Sequence, residues 1–378
     1  MYRLLASAWD PTGLPAAEVI PWPEVLRLAV PSNVGGAVYA ATQGMREALP
    51  SDVREELEQA LYRSAAANTR CLRQLAQLRA ALLNVGTPLL LLKGAALAQE
   101  LYGDVALRLI GDIDLAVPQE HVRSCRQVLL ELGYVPDRIE EQAGSLLAHS
   151  NQELFLPPDP YPAGVELHWH ILDVPYYLRH VPMDWFWEHT ESLLIDEQPY
   201  RVLNPEANLI YLPAHLALHH RFQGLHSYLD LAQLIVRNRD QLDWDRIAAT
   251  ARSFDLLTAL RETLERLAEC WPSLPLDTAR RLLQAVRPSR TDERLFHLIT
   301  GEERNPNLYV YTTLVSMPDF AARARFAWAN LFPQPAYMKS RYGVRAGWQL
   351  PYWYVYRMAG GLSRYARNLP RLRRFDRG

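Results

Sequence analysis

Two aspartates stand one residue apart in an apolar run, Leu109-Ile110-Gly111-Asp112-Ile113-Asp114-Leu115-Ala116-Val117. The run has strand character, and successive strand side chains point to opposite faces. Asp112 and Asp114 therefore share one face, while Ile113 and Leu115 share the other. Two carboxylates side by side repel each other unless a cation sits between them, and hard oxygen ligands suit Mg²⁺ or Mn²⁺. Upstream, Pro88 to Leu92 reads as a buried strand that turns through Lys93-Gly94 into a helix over Ala95–Tyr102, which Gly103 stops. A paired-Asp strand soon after such a turn points to metal-assisted phosphoryl or nucleotidyl transfer.

Gly164 to Ile171 alternates clearly and forms a further strand. Period 2 puts Glu166, His168 and His170 on one side and Val165, Leu167, Trp169 and Ile171 on the other. A row of ionisable groups is expensive to bury without partners. If this strand lies beside Asp112–Asp114, Glu166 supplies a third carboxylate, and three carboxylates can hold two divalent ions. Lys93 beside a helix N-terminus adds charge to free N–H groups, and Gly94 allows close backbone approach. Arg108 precedes Asp112 by four residues and could bind triphosphate or brace that aspartate. His168 could contact nucleotide or acceptor, act as a base, or be structural. His170 reads as structural or as part of a rim.

The remainder is mostly helical. Residues 1–35 are rich in proline and permit only short helices. The best helix before the core runs from Ser51, a plausible N-cap, to Leu83, with a leucine stripe from Leu61 to Leu82. A helix over His121–Leu132, a short strand near Val135 and strands over Glu153–Leu156 and Tyr200–Leu203 complete a small mixed sheet. Asn204-Pro205 opens a helix, with Asn as N-cap and Pro at N1, and everything beyond reads as helical. Three regions follow: N-terminal helical residues 1–85, a core over 86–203 and a larger C-terminal helical region over 204–378.

Composition narrows the function classes. The chain is 49% hydrophobic and 22% charged, ordinary for a globular protein with a sizeable core. Cys71, Cys125 and Cys270 form no CxxC pair, which argues for a reducing compartment and against a zinc or disulfide framework. The expectation is a cytoplasmic protein without a transmembrane segment or signal peptide. From Asp319 onward twelve basic residues face two acidic ones, a surplus of +10, leaving −12 on residues 1–318. An Arg-rich end interleaved with Trp348, Tyr352, Trp353 and Tyr356 could bind RNA, acidic lipid or a protein, or simply pack and face solvent. His215, His219 and His220 share a helix, but no HExxH pattern supports zinc. Lining the cleft opposite the sheet, or core packing, is the better reading. GxxxxGK[ST], GxGxxG and GxSxG patterns are absent.

The pattern Lys93-Gly94, Arg108, Asp112-x-Asp114, Gly133-Tyr134 and Glu166-Leu-His168-Trp resembles the uncharacterised nucleotidyltransferase family of the DNA polymerase β-like superfamily. Tyr211 to His220, Tyr228-Leu-Asp230-Leu and Leu242 to Asp245 resemble that family's helical region. The resemblance covers roughly residues 25–260. It implies an α+β fold with a polymerase β-like core, and a Mg²⁺- or Mn²⁺-dependent enzyme. Such an enzyme moves a nucleoside monophosphate from an NTP, ATP by default, to an acceptor and releases pyrophosphate. Asp112, Asp114 and Glu166 would be catalytic metal ligands, and Lys93, Gly94, Arg108 and His168 would bind nucleotide. Many polymerase β-like enzymes carry Gly-Ser where this chain has Lys93-Gly94. A small molecule, a peptide or protein side chain, or an RNA end could be the acceptor. The alternative is a non-catalytic nucleotide-binding module of regulatory or toxin–antitoxin type.

Overall fold

The computed structural model describes residues 1–140, 142, 145–301 and 320–375. The fold is α+β, built on a seven-stranded mixed sheet in the order β3-β4-β5-β2-β1-β7-β6. The strands are β1 (Leu90–Leu92), β2 (Asp112–Ala116), β3 (Val135–Pro136), β4 (Gln152–Leu156), β5 (Gly164–His168), β6 (Thr190–Ile195) and β7 (Gln198–Leu203). β2 runs parallel to β5 and β1 parallel to β7, while the other neighbours are antiparallel.

Period 2 divides the core. Leu91, Ile113, Leu115, Val165 and Leu167 face one side, where the Ser51–Asn84 and Val122–Glu131 helices cover them. Leu90 and Leu92 face the other, beneath helices that follow Pro205 and the short helices near the N-terminus. A central strand buried on both faces needs an unbroken apolar run, and Leu90-Leu91-Leu92 is one. Each such leucine is worth roughly 1.5–3 kcal/mol of burial. The Gly35–Ala41 helix lies so close to the Val105–Leu107 turn that Gly36 has no room for a side chain. A Cβ there would stand 2.5 Å from the Ala106 carbonyl oxygen.

Three expectations are adjusted. Ser51 is the first helical residue and makes no capping bond; Pro50 occupies the N-cap position. Ile171 does not follow Val165 and Leu167 but packs on the opposite side, because β5 ends at His168 and the alternation ends with it. β6 joins β7 through Asp196 and Glu197, both at positive φ (47° and 62°). The usual sequence signal for such a hairpin is Asn-Gly or Asp-Gly, so Asp-Glu conceals it. Asn204 caps its helix as expected, accepting from the Ala207 N–H.

Among the described residues no helix is long and apolar enough to cross a membrane. Near the C-terminus Trp353 stacks on Tyr342, whereas Trp348, Tyr352 and Tyr356 are exposed. Asp319, Asp376 and Arg377, which count towards the charge surplus of that end, lie outside the described residues.

Candidate active site

β2 and β5 lie side by side with Asp112 opposite Gly164 and Asp114 opposite Glu166. In-register parallel pairing puts the three carboxylates on one face. β1 completes the floor: Leu92 is opposite Asp114, so the next residue, Lys93, emerges at the carboxylates. Its Nζ donates to Asp114 Oδ1 at 2.8 Å and lies 3.6 Å from Glu166. His168 Nε2 donates to the same Asp114 oxygen at 2.9 Å and lies 3.3 Å from Glu166. Ligating atoms of Asp114, Glu166 and His168 lie within 4.8 Å of one another. Asp112 lines the same cleft.

The electrostatics are strained. Asp112 is pushed up to about 6 by the Asp114 charge first, then by burial and Glu166. Burial would raise Asp114 too, but Lys93 and His168 outweigh it and hold that carboxyl well below the usual range. Burial would lower the Lys93 ammonium, yet Asp114 and its acidic neighbours hold it well above the usual lysine range. His168 is likewise raised, its bonds to Asp114 and Glu166 overcoming burial. Asp114 Oδ2 is buried with no hydrogen-bond partner. An orphaned carboxylate oxygen in a cluster with Glu166 and His168 fits a divalent cation.

Around these groups lies a cleft of ≈ 250 Å³, walled opposite the sheet by the helix that carries His215, His219 and His220. This placement matches the cleft-lining reading of the three histidines. A π-helical turn over His215–His219 sets their spacing, and the rings of His215 and His219 stack at 4.9 Å. Burial, then Lys93, holds His215 well below the usual histidine range, and burial with His219 takes His220 down to about 4. His219 Nδ1 donates to Asp173 Oδ2 at 2.9 Å. Among the described residues these histidines form no metal-ligating group of three. A larger hollow of ≈ 700 Å³ meets the cleft at His219.

The remaining sequence-selected residues divide. Gly94 lines the cleft, and a Cβ on it would stand 3.1 Å from Arg108 Nη1. Arg108 makes a buried two-pronged pair with Asp230 (Nη2 to Oδ2 2.8 Å), and Tyr102 donates to the other oxygen of that aspartate at 2.8 Å. The bonds of Arg108 to a carboxylate thus go to Asp230, and Asp112 feels only the guanidinium charge. His168 is fully buried beneath the carboxylates and reaches Asp114, not the cleft. His170 is structural: both ring nitrogens contact backbone groups of Leu172 and Val181.

Two positioning residues escaped the sequence reading. Asn68 donates to the Arg108 carbonyl and accepts from the Ile110 N–H, each at 2.8 Å, and so clamps the segment that enters β2. Gln74, on the same helix, donates to the Ala163 carbonyl at 2.7 Å and clamps the entry to β5. Both are buried amides on a helix read only for its leucines, and a polar residue on that stripe was the available signal. Tyr211 is buried close enough to Lys93 to act on its charge.

A comparison with curated proteins finds no match. Among solved structures, the chain is similar to the crystal structure of an antigenic nucleotidyltransferase-like protein from Paracoccidioides brasiliensis. Identity is 16% over 62% of this chain and 96% of that one, and the TM-score of 0.31 is too low to support any argument. Among protein families, the model described as uncharacterised nucleotidyltransferase matches residues 18–272, more than half of the chain. The chain belongs to that family.

Proposed function

We propose that the protein is a metal-dependent nucleotidyltransferase that moves a nucleoside monophosphate from an NTP to an acceptor and releases pyrophosphate. The observation that carries this reading is the Asp114–Glu166 register, which sets Glu166 beside an Asp114 that keeps one buried oxygen without a partner, with Asp112 lining the same cleft. Asp112, Asp114 and Glu166 would hold Mg²⁺ or Mn²⁺, which supplies charge against the triphosphate and acidifies the acceptor hydroxyl. Lys93 and the free N–H groups of the helix it opens meet the phosphates, and Gly94 lets them approach. Arg108, held in place by Asp230, faces the same turn. His168 orients Asp114 rather than touching nucleotide. The hollow beyond His219 is read as the acceptor side.

The chain is read as helical residues 1–85, a polymerase β-like core over 86–203 and a helical region over 204–378. ATP is the default donor, the cytoplasm the expected location, and the Arg-rich end a surface for RNA or protein. A second reading, a nucleotide-binding module without catalysis, draws on one observation: Lys93 already pairs with Asp114 and lies 3.6 Å from Glu166. Pyrophosphate release from each NTP with Mg²⁺, across sugar, peptide and RNA acceptors, separates the two. The enzyme reading requires release that an Asp112→Asn, Asp114→Asn double variant loses. Retention by that variant sinks the mechanism, and NTP binding without release for every acceptor favours the module.

A further inference from the structure

The chain has forty lysines and arginines, and only two are lysines, Lys93 and Lys339. Arginine is a rigid fork suited to permanent bidentate pairing, as at Arg108–Asp230. Lysine is a compact charge on a flexible stem. In a chain that otherwise uses arginine, the ammonium occurs where two carboxylates converge. Its side chain is only 14% exposed, and its Nζ occupies the space between Asp114 and Glu166. The backbone there is strained, because Lys93 opens its helix at φ 44°, a left-handed conformation that favours glycine. Such strain costs on the order of 1–3 kcal/mol and persists only where the surroundings enforce it. The cleft, at ≈ 250 Å³, falls below the ~300–1,000 Å³ of ordinary small-molecule sites.

We propose that Lys93 is a resident counter-cation: it holds Asp114 and Glu166 in the metal-free protein and vacates that position for the nucleotide phosphates when a divalent ion is bound. The inference rests on the reading of the carboxylates as metal ligands. A divalent ion held by the free Asp114 Oδ2 and by Glu166 would stand beside the Lys93 ammonium, which lies 2.8 Å from Asp114 Oδ1 and 3.6 Å from Glu166. Close like charges in a partly buried cleft repel strongly. Four side-chain torsions let the ammonium leave without backbone movement. Metal alone must displace Lys93, and metal with nucleotide gives it a new anionic partner. Metal and nucleotide therefore bind cooperatively, each raising affinity for the other by the same factor.

The test reads the amine itself. Lys93 is acetylated with an amine-reactive ester and followed by mass spectrometry, with exposed Lys339 as the internal reference. Mn²⁺ binding is followed in parallel by electron paramagnetic resonance. Lys93 should be protected without metal, acetylated faster with Mn²⁺, and protected again when a non-hydrolysable ATP analogue is added. Lys93→Met and Lys93→Gly should bind Mn²⁺ without nucleotide on the order of tenfold more tightly than the wild type. The glycine variant suits the positive φ and covers the case in which the methionine variant misfolds. Mn²⁺ binding that leaves Lys93 acetylation unchanged or slower overturns the proposal while the metal site stands. Failure of every variant to bind Mn²⁺, with or without nucleotide, overturns the metal reading and this proposal with it.

Discussion

Arg108–Asp230 and Lys93–Asp114 each join a cation to a buried aspartate at 2.8 Å, yet only the first is complete. Asp230 takes two prongs of the guanidinium and the Tyr102 hydroxyl, and Arg108 spends Nη1 on the Leu109 carbonyl. It ties the segment before β2 to the Leu225–Asn238 helix. Asp114 keeps one oxygen without a partner, shares its cation with Glu166, and stands beside an Asp112 carboxyl pushed up to about 6. Asp230 has no oxygen left without a partner, so the pair serves as a fixture. An unsaturated pair in a cleft keeps the capacity to bind a ligand.

The sharpest way to break this contrast is to neutralise each aspartate. Asp114→Asn should lower pyrophosphate release by ~10³-fold or more while the thermal melt moves little. Asp230→Ala should do the reverse in kind. An unpaired buried guanidinium costs about 3–5 kcal/mol in urea unfolding, and an Arg108→Met, Asp230→Leu pair should recover most of it. If Asp114→Asn unfolded the protein as severely, both pairs would be fixtures and the distinction would fail.

A subtler probe uses pH. The folded-state value of Asp112, about 6, lies above its ordinary 3.8, so the folded chain holds that proton more tightly. Stability from this group is therefore fully present below about pH 4 and is lost as pH rises through about 6. Without metal, Asp112→Asn should melt higher than the wild type at pH 7–8, by on the order of a few degrees. The gain should shrink below pH 6 and vanish below about 4. A gain that persisted at low pH would assign it to packing instead. The smallest effect is expected at Gly94. A Cβ 3.1 Å from Arg108 Nη1 asks that side chain to give by a few tenths of an ångström. Gly94→Ala should raise KM for NTP about severalfold and leave stability within ~1 kcal/mol. Unchanged KM would remove Gly94 from the phosphate site.

Much of the site was legible because strand geometry is local. Asp112 with Asp114, and Glu166 with His168, follow from period 2 alone. The Lys93-Gly94 turn was visible between an apolar run and a helix pattern. His168 was harder, since its side of β5 is readable but its depth is not. Arg108 was legible as a charged residue near β2, but its hydrogen-bond partner was not: Asp230 lies more than a hundred residues away. Asn68 and Gln74 were passed over because a helical stripe records where apolar residues face, not which loop a buried amide meets. β6 was missed because its turn lacks the usual glycine.

The sequence by itself determined the strands that carry the site, the order of acidic residues along them and the family to which they belong, since each rests on spacing along the chain. Only the tertiary structure decided that β2 and β5 are neighbours in register and that Asp230 satisfies Arg108. It also decided that the cation between Asp114 and Glu166, absent any ligand, is Lys93. Those facts depend on distances between segments far apart in the chain, which packing sets and local periodicity does not encode.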